Sequence, residues 1–240
     1  MPDWKERTAL LIGAETVEKL AKSKVAVVGL GGVGGICAES LCRAGIGRLV
    51  LCDYDVIDIT NLNRQIFATH DWIGKHKTEA AVSRIRSINP ECCIEVINQA
   101  YGEQTRESFF SLKPDYVADA IDMVTAKLDL VKECKNRNVP VISCMGAGNR
   151  LDPSSFQVCD IYQTANCALA RVMRRELKKL GVMELDVVCS GEPAKKNNLE
   201  TPDNTGGKSR RRPPASISVC PNAAGLVLAG SIITNIICKG

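Results

Sequence analysis

Apolar residues fall along this chain in two alternating rhythms. Short unbroken runs at 25–28, 49–52 and 116–118 read as strands of a parallel sheet, which is covered on both faces and so lacks polar alternation. Between and after them apolar residues recur at helical spacing: residues 36–44, then Ala80, Ala81, Ile85 and Ile88 on one face, then 124–136. Strand alternating with helix over 24–148 predicts an α/β, Rossmann-like, doubly wound and mainly parallel sheet. Residues 1–23 read as a helical arm. Downstream, strands near 157–160 and 186–189 enclose Leu169, Val172, Met173, Leu177 and Leu180 at helical spacing, an added C-terminal antiparallel portion. A chain of 240 residues with 45% hydrophobic content can bury one full core. Residues 1–240 therefore read as a single domain, with a nucleotide-binding half at 24–148 and an acceptor and dimer half at 149–240.

The first strand runs into Gly29, Gly31, Gly32 and Gly34, and the next helix follows at once. Backbone N–H groups in such a turn, with the positive end of a helix behind them, suit phosphate oxygens. The second strand delivers Asp53 at its carboxyl end, where an acid accepts hydrogen bonds from a ribose. Up to this point an ordinary dinucleotide-binding turn fits equally well. Arg64 and Lys77 tilt the reading, because forming an acyl-adenylate requires fixed cations against a pentavalent phosphorus and a departing pyrophosphate. Asn61 and Gln65 add neutral donors, and residues 116–122 read as a strand ending in an acid, Asp122, which suits Mg2+ held by one carboxylate and substrate phosphates.

The stretches Asp53-Tyr54-Asp55, Asn61-Leu62-Asn63-Arg64-Gln65, Lys77-Thr78-Glu79 and Asp119-Ala120-Ile121-Asp122 resemble the adenylating core shared by ubiquitin-activating enzymes and activators of sulfur-carrier proteins. With Asn63-Arg64-Gln65-Ile66, Ile88-Asn89-Pro90-Glu91-Cys92, Gly146-Ala147-Gly148, Leu151-Asp152-Pro153, Asp160-Ile161-Tyr162 and Leu169-Ala170-Arg171, the chain is more narrowly similar to the tRNA threonylcarbamoyladenosine dehydratases. That resemblance covers nearly the whole chain and implies a ThiF-like adenylyltransferase fold. It implies an ATP- and Mg2+-dependent enzyme that cyclises N6-threonylcarbamoyladenosine in tRNA, with adenylation of a protein's C-terminal carboxylate as the alternative. It places Gly31 and Gly32 on the phosphates, Asp53 on the ribose, Asp55 in the same nucleotide set, Asn61, Arg64 and Lys77 facing the phosphates, and Asp122 on the metal. It also implies a homodimer in which Arg7 reaches the partner subunit's ATP, and it admits a cysteine-desulfurase-type sulfur-transfer partner. Cys167, before a helix expected from Ala168, matches the loop position of a thioester-forming cysteine, although intramolecular cyclisation requires no covalent enzyme intermediate.

Residues 195–212 hold Lys195, Lys196, Lys208, Arg210, Arg211 and Arg212 against Glu200 and Asp203, a surplus equal to the chain's whole net charge of +4. Such a segment suits the tRNA backbone, and its composition suits a flexible basic loop over 190–216, with Lys208, Arg210, Arg211 and Arg212 as the core of the contact. The helix around 171–179 adds five more basic side chains. No two of the 12 cysteines have the two-residue gap of a zinc half-site, so no zinc is expected. Without a secretion-type start, and with the late apolar stretch 223–238 interrupted and short for a bilayer, the expectation is a cytoplasmic protein without stable membrane insertion.

Overall fold

The computed structural model describes residues 3–195 and 214–238. Two helices, α1 (Glu6–Ile12) and α2 (Ala14–Lys22), lead into β1 (Lys24–Val28), α3 (Gly34–Arg43), β2 (Arg48–Cys52), α4 (Lys77–Ile88) and β3 (Cys93–Ile97). Then come α5 (Arg106–Ser111), β4 (Tyr116–Asp119), α6 (Val124–Asn136), β5 (Val141–Cys144), β6 (Phe156–Asp160), α7 (Ala168–Lys179), β7 (Asp186–Ser190) and α8 (Val219–Cys238). The strands form one seven-stranded sheet in the order β3-β2-β1-β4-β5-β7-β6. All neighbours pair in parallel except β6, which runs antiparallel to β7. The expected doubly wound sheet with an antiparallel addition is thus the observed one. Because β1 lies between β2 and β4, the chain winds away from it in both directions, and the crevice at their carboxyl ends is the usual ligand position.

Successive strand residues face opposite layers. Val25, Val27, Leu49 and Leu51 enter the core beneath α3, α4 and α8, while Ala26, Val28 and Val50 enter the core beneath α5, α6 and α7. The aromatic edge contacts of Tyr101, Phe109 and Phe110 close the second core around α5.

One expectation gains detail and one needs correction. The arm at 1–23 is two helices, since Gly13 takes φ +84°, a conformation that ends α1 and that an L side chain adopts only with strain. The late apolar segment is longer than it reads: α8 starts at Val219 and its 20 residues are, by length and composition, enough to cross a membrane. Pro221 does not interrupt it, because first-turn N–H groups have no intrahelical acceptor to lose. In the fold α8 lies against α3, so closely at Gly225 that a Cβ would sit 2.3 Å from the Val33 carbonyl oxygen. Its Cys220, Ala224, Leu228 and Ile232 are buried in the first core.

Candidate active site

The glycine turn is shaped by its neighbours. Gly29 has φ +89°, and a Cβ there would sit 2.7 Å from the Ala120 carbonyl oxygen; on Gly34 it would sit 1.7 Å from the Gly29 carbonyl oxygen. Gly32 packs on Pro221 and the Arg64 backbone, whereas at Gly31 the nearest atom to a Cβ would be Gln65 Nε2, 3.9 Å away. Gly29 and Gly34 therefore close the turn. Gly31 leaves room beside the N-terminus of α3, with the Gln65 amide near it. Asp53, buried at the end of β2, ties the turn down: Oδ2 accepts the Leu30 N–H (2.6 Å) and Oδ1 the Asp55 N–H (2.8 Å). Each oxygen retains a lone pair for a further donor such as a ribose hydroxyl.

The two cations are held in advance. Lys77 opens α4 as a buried residue, its Nζ donating to Asp55 Oδ2 at 2.6 Å and its backbone N–H to the Asp55 carbonyl at 3.0 Å. Arg64 Nη1 donates to the Thr60 carbonyl and to Asn63 Oδ1, both at 2.8 Å. Asn61 is half of a capping box: its Oδ1 accepts the Asp58 N–H at 3.1 Å, which leaves Nδ2 to donate elsewhere. Hydrogen bonds from the Thr60 hydroxyl and N–H hold the Asp58 carboxyl below its ordinary range. The strand expected to run to Asp122 ends at Asp119, so Asp122 is exposed in the loop after β4. The Tyr54 phenol is pushed up by Asp55 foremost, then by partial burial, Asp122 and Asp53, so these carboxylates share one neighbourhood. Sequence reasoning passed over Tyr54.

Other expected residues lie elsewhere. Arg7 is exposed on α1. Lys5, just before that helix, packs its Cδ 3.7 Å from the Cβ position of Gly45, in the turn entering β2 and so at the amino ends of the strands. The helix that carries Arg7 therefore starts at the edge of the sheet opposite the glycine turn. Cys167 is buried and caps α7, its Sγ accepting the Ala170 N–H at 3.4 Å, which is a structural use the sequence did not reveal. Cys167→Ser supplies a better capping oxygen, and steady-state assays are expected to show unimpaired turnover; loss of turnover would restore the thiol as a nucleophile. Lys208, Arg210, Arg211 and Arg212 lie outside the described residues. The chain on either side of them meets one residue, Asn149: its carbonyl accepts the Lys195 N–H (2.8 Å), its N–H donates to the Ala215 carbonyl (2.7 Å), and its Oδ1 accepts the Ala215 N–H (2.8 Å). Ser216 then accepts from Asn63 Nδ2 at 3.0 Å, beside Arg64. Arg150 was also missed; it is buried, with Nε bonded to the Gly146 carbonyl and Nη2 to that of Asn166.

The ThiF family model matches residues 5–237, nearly the whole chain. The protein belongs to the ThiF family. Among curated ThiF relatives, a Bacillus subtilis protein named tRNA threonylcarbamoyladenosine dehydratase is 40% identical over 237 residues, covering 96% of this chain and 93% of its own. The structure is similar to that of E. coli tRNA N6-threonylcarbamoyladenosine dehydratase in complex with AMP, with a TM-score of 0.88, 32% identity and coverage of 98% of this chain and 96% of the other. The same E. coli enzyme in complex with ATP gives a TM-score of 0.87. A Drosophila grimshawi relative named ubiquitin-like modifier-activating enzyme 5 is 41% identical, but over 117 residues, 49% of this chain and 28% of its own.

Proposed function

We propose that this protein is an ATP-dependent tRNA threonylcarbamoyladenosine dehydratase. The observation that carries the reading is the extent of the match: the Bacillus subtilis dehydratase corresponds along 96% of the chain, the ubiquitin-type activator along 49%.

The threonyl carboxylate of the modified adenosine attacks the α-phosphorus of ATP, forming an acyl–phosphate bond and breaking the bond to pyrophosphate. A carboxylate is already ionised at neutral pH, so no side chain has to act as base for this step. Arg64 and Lys77 oppose the charge that grows on the leaving pyrophosphate, Asn61 Nδ2 and Gln65 donate to phosphate oxygens, and Asp53 holds the ribose. The side chain's own carbamoyl group, tethered within reach, then attacks the activated carbonyl, loses a proton to solvent and expels AMP. The net change in the nucleoside is loss of one water.

Asp122, an exposed, hard oxygen donor, would hold Mg2+ together with substrate phosphates. When bound, the ion neutralises charge on the triphosphate.

Mass spectrometry of tRNA nucleosides after incubation with ATP tests the reaction: the threonylcarbamoyl adduct should lose one water, and an unchanged nucleoside would refute it. The protein acts in the cytoplasm, with α8 serving as a core helix on α3. Lys208, Arg210, Arg211 and Arg212 bind the tRNA backbone; the described chain on both sides of that segment meets Asn149, and the Ser216 carbonyl accepts from Asn63, next to Arg64. Replacing those four residues by Ser is expected to weaken tRNA binding and flatten its salt dependence by about one slope unit per lost phosphate contact, with ATP affinity unchanged. Filter binding across a salt series decides it, and an unaltered slope would move the RNA surface to the basic face of α7.

A further inference from the structure

We infer that a fully buried cluster, Asp119, Lys127 and Ser143, is a positioning device for the loop that carries Asp122. The inference rests on the role proposed above for Asp122. Asp119 ends β4, Lys127 lies on the inner face of α6 beside Leu130 and Val131, and Ser143 comes from β5; all three have 0% exposure. Lys127 Nζ donates to Asp119 Oδ2 at 2.7 Å and to Ser143 Oγ at 2.9 Å, and Ser143 Oγ donates to the same Asp119 oxygen at 2.5 Å. Two donors from different elements thus fix the rotation of one carboxylate. Its other oxygen, Oδ1, then faces the loop and accepts the N–H of Ile121 at 3.1 Å, one residue before Asp122.

The same loop forms a wall of the glycine turn, since the Ala120 carbonyl oxygen lies 2.7 Å from the Cβ position of Gly29 and the Ala120 Cβ 3.1 Å from that of Gly34. One buried carboxylate therefore sets both the seat of the phosphate turn and the place of the acid opposite it. Stability alone does not account for the cluster. Desolvating two charges offsets their attraction, and apolar side chains of similar shape hold such a junction as well or better. What apolar side chains lack is an acceptor aimed at the Ile121 N–H.

The test uses two replacements of the cluster in the full chain, beside Asp122→Ala. Asp119→Leu, Lys127→Met and Ser143→Ala together leave no orphaned charge and no acceptor for the loop. Asp119→Asn with Lys127→Met also removes both charges but keeps an acceptor for Ile121 and a donor for Ser143. Hydrogen–deuterium exchange of residues 120–123 and calorimetric binding of ATP with Mg2+ are the readouts. The triple variant is expected to melt cooperatively, to exchange faster in that loop, and to bind ATP with Mg2+ about ten- to a hundredfold more weakly; the double variant should stay close to wild type. Wild-type exchange and affinity in the triple variant overturn the proposal, as does an equal loss in both variants. Should the triple variant not fold, Ser143→Ala reads the same device with the ion pair intact: faster loop exchange and weaker binding support it, wild-type values overturn it. If Asp122→Ala itself binds ATP with Mg2+ as tightly as wild type, the assignment of Asp122 falls instead.

Discussion

Lys77→Ala and Arg64→Ala are each expected to slow AMP formation on substrate tRNA by about a hundredfold or more, the scale of removing one preorganised charge stabiliser. The geometry explains why so much is at stake in single side chains. Lys77 is held by Asp55 at 2.6 Å and Arg64 by Thr60 and Asn63 at 2.8 Å, so in the proposed reaction both cations stand in place before the pyrophosphate charge develops. No reorganisation has to accompany the reaction. Neither change should unfold the chain: Lys77→Ala leaves behind the Asp55 carboxylate, whose side chain is 44% exposed and hydrated by solvent. Arg64 is itself half-exposed. Interactions made only in the transition state lower kcat and kcat/KM together. Rapid-quench measurement of AMP checks this, and near-normal turnover in either variant with unchanged ATP dependence would dismantle the assigned triphosphate site.

How far such a site can be read from sequence depends on how local its causes are. Gly29 to Gly34, Asp53 and the strand before each follow from short apolar runs and turn residues, and the fold places them as that pattern implies. The antiparallel pair of β6 and β7 was likewise visible as two short runs on either side of one helical period. Gly13 was not legible as a break, because one glycine inside a helical pattern is often tolerated, and only its φ of +84° separates α1 from α2. Cys167 reads as a loop thiol until its sulfur is seen accepting the Ala170 N–H. The Asp119, Lys127 and Ser143 cluster lay furthest out of reach. Lys127 falls in the apolar period of α6 between Ala126 and Leu130, and that placement is the only local sign of burial; its partners sit 8 and 16 residues away in separate strands.

Arg7 raises the remaining question, because among the described residues of one copy its side chain has no hydrogen-bond or ion-pair partner. It sits on α1, a helix with no buried residue, where Leu10 and Leu11 are 82% and 84% exposed. Lys5 fastens the start of that arm to Gly45, at the amino ends of the strands and across the sheet from the glycine turn. An apolar arm exposed in this way suits burial against another subunit, and a two-fold dimer, the commonest symmetric assembly, would carry Arg7 to a neighbour. If Arg7 completes the site of the partner subunit, Arg7→Ala and Asp122→Ala are each expected to lose about a hundredfold in AMP formation, like other contacts to developing phosphate charge. Mixed in equal amounts and allowed to exchange subunits, the two inactive proteins should recover about a quarter of wild-type activity. Half of the random dimers are hybrids, and one of the two sites in each hybrid carries both native groups. Native mass spectrometry of the mixture establishes that hybrids form. Recovery with hybrids present places Arg7 in the site across the interface. Hybrids without recovery would confine Arg7 to its own subunit or remove it from the chemistry.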